Sequence, residues 1–209
     1  MIADEIISEA FNLFDETSDK SSPSSKYDST SRFWPLRLVN TGYREVCQET
    51  HCSRISDTFN TVAGQREYDY PNDFVALHSL DYNGNYRLNP VSYQRIDKDF
   101  SLSSTGVPIQ YYLAADKLGI VPIPNSIYLI NRTYFNGPAA DLTLTESPDL
   151  VPIKFHYVIS YYVTMKLFEV DKGADSNRAL MWKRMYQEEL AKMRVYFSSG
   201  MNADRKPEI

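Results

Sequence analysis

At 209 residues, 43% of them hydrophobic, the chain is long enough for one large or two small domains around a core that needs no covalent staples. The net charge of −5 is uneven: residues 1–151 hold 12 Lys/Arg against 20 Asp/Glu, and residues 152–209 hold 10 against 7. An acidic body of this kind excludes a large duplex footprint, whose affinity comes mostly from neutralising phosphates. Two cysteines, Cys47 and Cys52, exclude a disulfide framework and point to a reducing compartment. With no apolar run of about 18 residues and no basic start, the expectation is a soluble protein that neither spans a membrane nor follows the usual export route. Tyrosine is the one strong bias, 16 against 10 Phe and 2 Trp. It serves equally well at interfaces and in strands, and the sequence leaves both uses open.

Residues 1–15 read as a short helix with Ile6, Ile7, Ala10, Phe11 and Phe14 on one side. It needs a partner, being near the length at which isolated helices fail. Residues 16–31, rich in Ser, Asp and Lys and holding Pro23, predict a flexible loop. A second helix is predicted from residue 31 or 32 to 51. Pro35 falls in its first turn, where a missing N–H does no harm, and Trp34 anchors its start. Leu36, Val39, Tyr43, Val46 and Cys47 form its buried stripe. These N-terminal helices account for residues 1–53.

From residue 54 the period changes to two. Alternation over 56–62 and a strand over 74–82 lead to Asn83-Gly84, a strong hairpin signal between 80–82 and 86–88. A helical turn over 92–99 and strands over 108–114, 118–121 and 126–135 follow, with a loop over 137–149. Several short strands at this spacing predict a compact antiparallel sandwich or small barrel, and residues 54–150 form the β-rich domain.

The last quarter, 151–199, reads as a helical hairpin broken at Lys172-Gly173. Its first helix, 155–168, is apolar or aromatic nearly all round, which a helix tolerates only when more than one face is covered. Its second carries one stripe, Trp182, Met185/Tyr186, Leu190, Met193 and Phe197, opposite a charged face. Residues 200–209 are left as a C-terminal extension. The fold class is therefore α+β, a helical bundle drawn from both ends of the chain with a β-rich insertion.

The pattern of reactive side chains points to no enzyme. There is no phosphate loop, no GxSxG, no HExxH and no CxxC. The cluster Cys47, His51 and Cys52 matches no common zinc spacing, and the segment 81–92 lacks the terminal Glu of a calcium loop, so neither a metal nor a cofactor is expected. His156 lies among aromatics as a core or interface histidine, and paired carboxylates such as Asp69/Asp73 and Asp97/Asp99 are what an acidic surface produces.

Four stretches, in this order, give the chain a resemblance: Glu67-Tyr-Asp-Tyr-Pro-Asn-Asp-Phe74, Gly106-Val-Pro-Ile-Gln-Tyr111, Leu118-Gly-Ile-Val-Pro-Ile-Pro124 and Leu150-Val-Pro-Ile-Lys-Phe-His156. With a helix before them and a helical hairpin after, residues 31–197 resemble the head–tail adaptor, or connector, proteins of tailed bacteriophages, of the tail tubular protein A type. The resemblance implies a virion protein without a reaction of its own, made in the host bacterial cytoplasm and placed at the head–tail junction. Its expected partners are further copies in a ring of twelve, the portal protein, and tail, nozzle or stopper proteins, with DNA passing through the channel unbound. It implies portal contacts for the extension, at Met201, Asn202, Arg205, Lys206 and Ile209. The surplus apolar surface of the first hairpin helix marks Tyr157, Tyr161, Met165 and Phe168 as candidates for a subunit or portal interface. The serine-rich segment is a departure from the family pattern. The alternative reading is a carbohydrate- or protein-binding β module with a helical oligomerisation hairpin.

Overall fold

The structure, a computed structural model, describes residues 1–17, 33–93, 96, 104–170 and 176–199. Most of the predicted serine-rich loop and of the turn at 92–99, the break at Lys172-Gly173, and the extension 200–209 lie outside the described residues. Two compact units are present: Met1–Ser53 with Gly137–Ile209, and Arg54–Asn136. The class is α+β.

The first unit is built on four helices among the described residues: α1 (Ala3–Thr17), α2 (Phe33–Thr50), α3 (His156–Val170) and α4 (Ser176–Ser198). The apolar circumference of α3 dictates the arrangement, because α1, α2 and α4 each pack on a different side of it. Phe14 of α1 meets Phe168 with ring centroids 4.4 Å apart. Tyr162 lies across Gly42 of α2, where a Cβ would come within 2.6 Å of the ring, so only glycine permits that approach. Tyr161 meets Trp182 at 5.3 Å and Phe155 meets Tyr196 at 5.4 Å, which sets α3 and α4 antiparallel. Trp182, Tyr186, Leu190 and Met193 of the expected α4 stripe are buried, with Met185 and Phe197 partly so.

Residues 137–150, a loop that the sequence reading includes in the β-rich domain, pack on these helices. Backbone polarity explains the placement. The first N–H groups of a helix have no partner within it, and the carbonyls of Glu146 and Leu144 accept from Ala3 N and Asp4 N at 2.8 and 3.0 Å. The buried amide of Asn40 brackets Leu142, donating to its carbonyl at 3.2 Å and accepting from its N–H at 2.7 Å. Tyr43 Oη accepts from Leu150 N at 3.0 Å.

The second unit stacks two open sheets. One has the order β1 (Arg54–Asn60), β10 (Leu129–Asn136), β3 (Phe74–Tyr82), β4 (Tyr86–Arg87) and is antiparallel throughout. The other has the order β2 (Glu67–Asp69), β8 (Lys117–Val121), β7 (Gln110–Leu113), β5 (Asn89–Pro90), with β5 parallel to β7. Two further strands, β6 (Thr105–Gly106) and β9 (Ile123–Pro124), pair in parallel. Leu80 and Ile130 from the first sheet meet Tyr68, Leu118 and Ile120 from the second, which is a sandwich core. The predicted hairpin is present, with Tyr82 opposite Tyr86. Its loop has three residues, and Asn83 and Gly84 take the left-handed conformation such turns require, at φ 48° and 72°.

One charge lies inside this sandwich. Arg132 of β10, 6% exposed, faces inward with Ile130 and Tyr134. Its Nε and Nη2 donate to Asp57 at 2.9 and 2.5 Å, and its Nη1 donates to Asp69 O at 3.2 Å. The guanidinium also lies over the rings of Phe59 and Tyr134. A buried cation requires such complete satisfaction. Replacing Asp57 by Ala leaves Arg132 without its carboxylate and is expected to lower stability by about 1–3 kcal/mol, the cost of an unsatisfied buried polar group. Urea unfolding followed by far-UV circular dichroism measures this, with a lower midpoint and an unchanged slope.

Candidate functional site

Among the described residues, His156, His78, Asp69 and Asp73 are held in structural contacts. His156, 1% exposed, donates from Nε2 to Val151 O at 2.8 Å, so its Nδ1 accepts from the Met1 amino group at 3.1 Å. Burial holds its pKa below the ordinary histidine value. His78 sits on β3 with Nε2 3.4 Å from an Arg54 nitrogen; burial, then the Arg54 and Arg87 cations, lower its pKa as well. Among the described residues neither ring hydrogen-bonds a carboxylate. Asp69 pairs with Lys117, and Asp73 accepts from Tyr134 Oη at 3.1 Å. The Asp97/Asp99 pair lies outside the described residues. Cys47 and Cys52 are free thiols, and among the described residues no three His, Cys, Asp or Glu side chains converge as a metal site would require.

The stretch 67–74 is a structural corner. Glu67 accepts from Tyr112 Oη at 2.8 Å, and Tyr68 Oη donates to Gln65 O at 2.9 Å while accepting from Val62 N at 3.1 Å. Tyr70 Oη donates to Lys117 O at 2.8 Å, and its ring stacks on Phe74 at 4.2 Å. These tyrosines tie turn carbonyls to strands. Burial, then Asp73, pushes the Tyr134 hydroxyl up to about 12, so it stays a donor at any physiological pH. At Gly119 the ring of Tyr112 occupies the space of a side chain, and a Cβ would come within 1.9 Å of it.

The interface candidates divide by exposure. Met165 and Phe168 are 5% and 4% exposed, turned into the helical core. Tyr157 and Tyr161 are half-buried, with rings 5.4 Å apart. Tyr157 Oη donates to Glu189 at 2.6 Å. Burial acts upward on the Glu189 carboxyl, but the hydrogen bonds from Lys192 and Tyr157 prevail and lower its pKa. Met201, Asn202, Arg205, Lys206 and Ile209 lie outside the described residues.

Sequence reasoning missed other exposed apolar side chains. On the helical unit Ile153 and Val195 are 77% and 67% exposed, near the start of α3 and the end of α4; Val170, Leu180 and Met181 are exposed near the opposite ends of those helices. A cleft of about 410 Å³ beside Ile153 is lined by Met1, Asp149, Val151, Pro152, Lys154 and His156. On the β unit Ile109, Leu113 and Tyr93 are exposed, the last two lining an open groove with Pro90, Val91 and Tyr111. The signal was present: Ile109, Tyr111 and Leu113 alternate onto one face and Tyr112 onto the other, so large apolar or aromatic side chains fall on both, which no single core face accounts for.

The helical unit thus draws on residues 1–53 and 137–199, the sandwich between them is fastened by tyrosine hydroxyls, and apolar side chains remain exposed on both units. The chain belongs to the SU10 adaptor protein family, whose sequence profile matches residues 1–207. Its role is that of a bacteriophage structural adaptor of the head–tail junction. A comparison with curated proteins finds no match. No helix among the described residues is long and apolar enough to cross a membrane.

The His156 environment sets a pH dependence. Its folded pKa is lowered, so below about pH 6.5 the unfolded chain takes up a proton that the folded chain refuses. Stability of the helical unit is expected to be level above that pH and to fall on acidification, by at most about 1.4 kcal/mol per pH unit for one proton. His156→Gln should flatten the profile between pH 5.5 and 6.5. Fluorescence of Trp34 and Trp182, both in this unit, follows the unfolding.

Proposed function

We propose that the chain assembles as a ring of twelve copies beneath the portal vertex, extends the DNA channel, and presents a platform to the tail, nozzle or stopper proteins. The observation that carries this reading is the family match over residues 1–207. A ring interface is heterologous and uses two different patches on every copy. Apolar surface exposed toward both ends of α3 and α4, and separately on the β unit, supplies more than one patch of that kind. The acidic balance of residues 1–151 lets DNA slide past, because phosphate contacts are what retain it.

The portal contact falls to the extension, with Arg205 and Lys206 toward acidic groups and Met201, Asn202 and Ile209 completing the contact. The chain leaves α4 where α3 begins, since Tyr196 lies against Phe155. Ten extended residues span up to about 36 Å, comparable with the roughly 34 Å of the 23-residue α4. The extension can therefore reach a site at either end of the bundle. Removing residues 201–209 is expected to weaken co-sedimentation with purified portal rings at least tenfold while leaving the circular dichroism spectrum unchanged. Undiminished co-sedimentation would remove the extension from the interface.

The subunit or portal contact is assigned to the half-buried Tyr157 and Tyr161, with Met165 and Phe168, the other candidates on α3, turned into the helical core. The double change Tyr157→Ser and Tyr161→Ser is expected to leave a folded monomer that no longer forms rings on the portal, scored by negative-stain microscopy. Phe168→Ser is the contrasting control. It removes the ring that packs on Phe14 and should cost about 3–5 kcal/mol of monomer stability, as large-to-small core changes do.

A further inference from the structure

Helix α2 ends on a turn that brings two thiols together. His51 takes the left-handed conformation at φ 50° and donates its backbone N–H to Cys47 O at 3.0 Å. This is the αL termination of a helix, in which the residue after the turn folds back against the last helical turn. Here the residue that folds back is Cys52 and the one it meets is Cys47, with Sγ atoms 3.5 Å apart. In most helix ends this contact is between aliphatic side chains that cannot react. Cys47 is fully buried and Cys52 partly exposed, so Cys52 is the residue of the pair nearer to solvent.

We propose that Cys47 and Cys52 form a two-electron redox site that closes to an intramolecular disulfide when the chain meets a peroxide-class oxidant. A disulfide needs its sulfurs about 2.05 Å apart, so closure requires an approach of roughly 1.5 Å. The Cys52 thiolate attacks one peroxide oxygen, the O–O bond breaks, and the departing hydroxide is protonated to water, leaving a sulfenic acid on Cys52. The Cys47 sulfur then attacks the Cys52 sulfur. The S–O bond breaks, and the leaving hydroxide takes the Cys47 proton to form a second water. Two thiols and one hydrogen peroxide give one disulfide and two waters. The environment fits this order of events: the Cys47 thiol and Thr50 lower the pKa of Cys52, whereas the neighbouring Cys52 sulfur and burial raise that of Cys47. Cys52 is the nucleophile and Cys47 the resolving thiol.

Closure cross-links the point where the chain leaves α2 for the β unit, which begins at Arg54. The dithiol is the form of a reducing cytosol and the disulfide that of an oxidising exterior. The chemistry is a property of the single chain and holds whether or not rings form.

The test uses the full reduced chain treated with hydrogen peroxide, blocked with a thiol alkylator, and cut with trypsin without reductant. Arg44 and Arg54 bracket both cysteines within one peptide, residues 45–54. The expected product is that peptide lighter by about 2 Da and unalkylated, returning to the doubly alkylated form after dithiothreitol. Backbone exchange of residues 50–53 should slow at least tenfold on closure. Cys52→Ser should slow thiol loss at least tenfold, and Cys47→Ser should leave a sulfenic acid on Cys52 that dimedone traps. A peptide carrying added oxygen in the wild-type chain, disulfide-linked dimers in place of the internal bond, or unchanged reactivity in Cys52→Ser would overturn the proposal. The wild-type peptide mass decides the matter even if a variant fails to fold.

Discussion

The enclosure of α3 is the constraint on which the helical unit depends. A helix that presents apolar side chains on every side must be surrounded, and no local segment supplies three covers. The chain meets the demand from both directions: α1 and α2 come from its first 50 residues and α4 from its last 35. Residues 1–17 and 33–53 are thereby held in one body with 137–170 and 176–199, and everything from Arg54 to Asn136 becomes an insertion into it. The close approach of Tyr162 to Gly42 and the pairing of Phe14 with Phe168 follow from the same demand.

The β unit solves a different problem. Its strands are short and its sheets open, so little regular hydrogen bonding holds the turns. Tyrosine fills the gap, because its ring adds to the core while its hydroxyl reaches a backbone group at the periphery. Tyr68 and Tyr70 do this for two turns, and Tyr112 and Tyr134 do it for carboxylates. Much of the tyrosine bias is thus internal fastening. Arg132 performs the corresponding role for charge, joining β10, β1 and the end of β2 around one guanidinium.

For an adaptor this division of labour is informative. Buried polar groups in both units hold the fold together, and His156 illustrates the point. A histidine available for proton transfer would keep one nitrogen free, whereas this one joins the first residue of the chain to the turn before α3. Apolar side chains left outside the two cores include Ile153, Val195, Ile109 and Leu113.

Local pattern carried much of the fold. The four helices, the long strands and the Asn83-Gly84 turn were legible because each depends on side-chain period or on backbone freedom within a few residues. The stretches 67–74 and 150–156 were legible as signatures, though not for their contacts. Tertiary structure alone decided what covers α3, since a helix's circumference states that neighbours are needed and not which ones. It also decided that residues 137–150 pack with the helices, because their tie is to the first N–H groups of α1, more than 130 positions away. Nothing in the sequence singles out Arg132; the pairing of β1 with β10, which sets Asp57 opposite it, supplies the partner that lets it be buried. Cys47 and Cys52 read as an unmatched metal spacing, and a single left-handed residue at His51 made them neighbours. Period and composition are properties of neighbouring residues in the chain, whereas partners for buried charge, backbone and thiols are chosen across it.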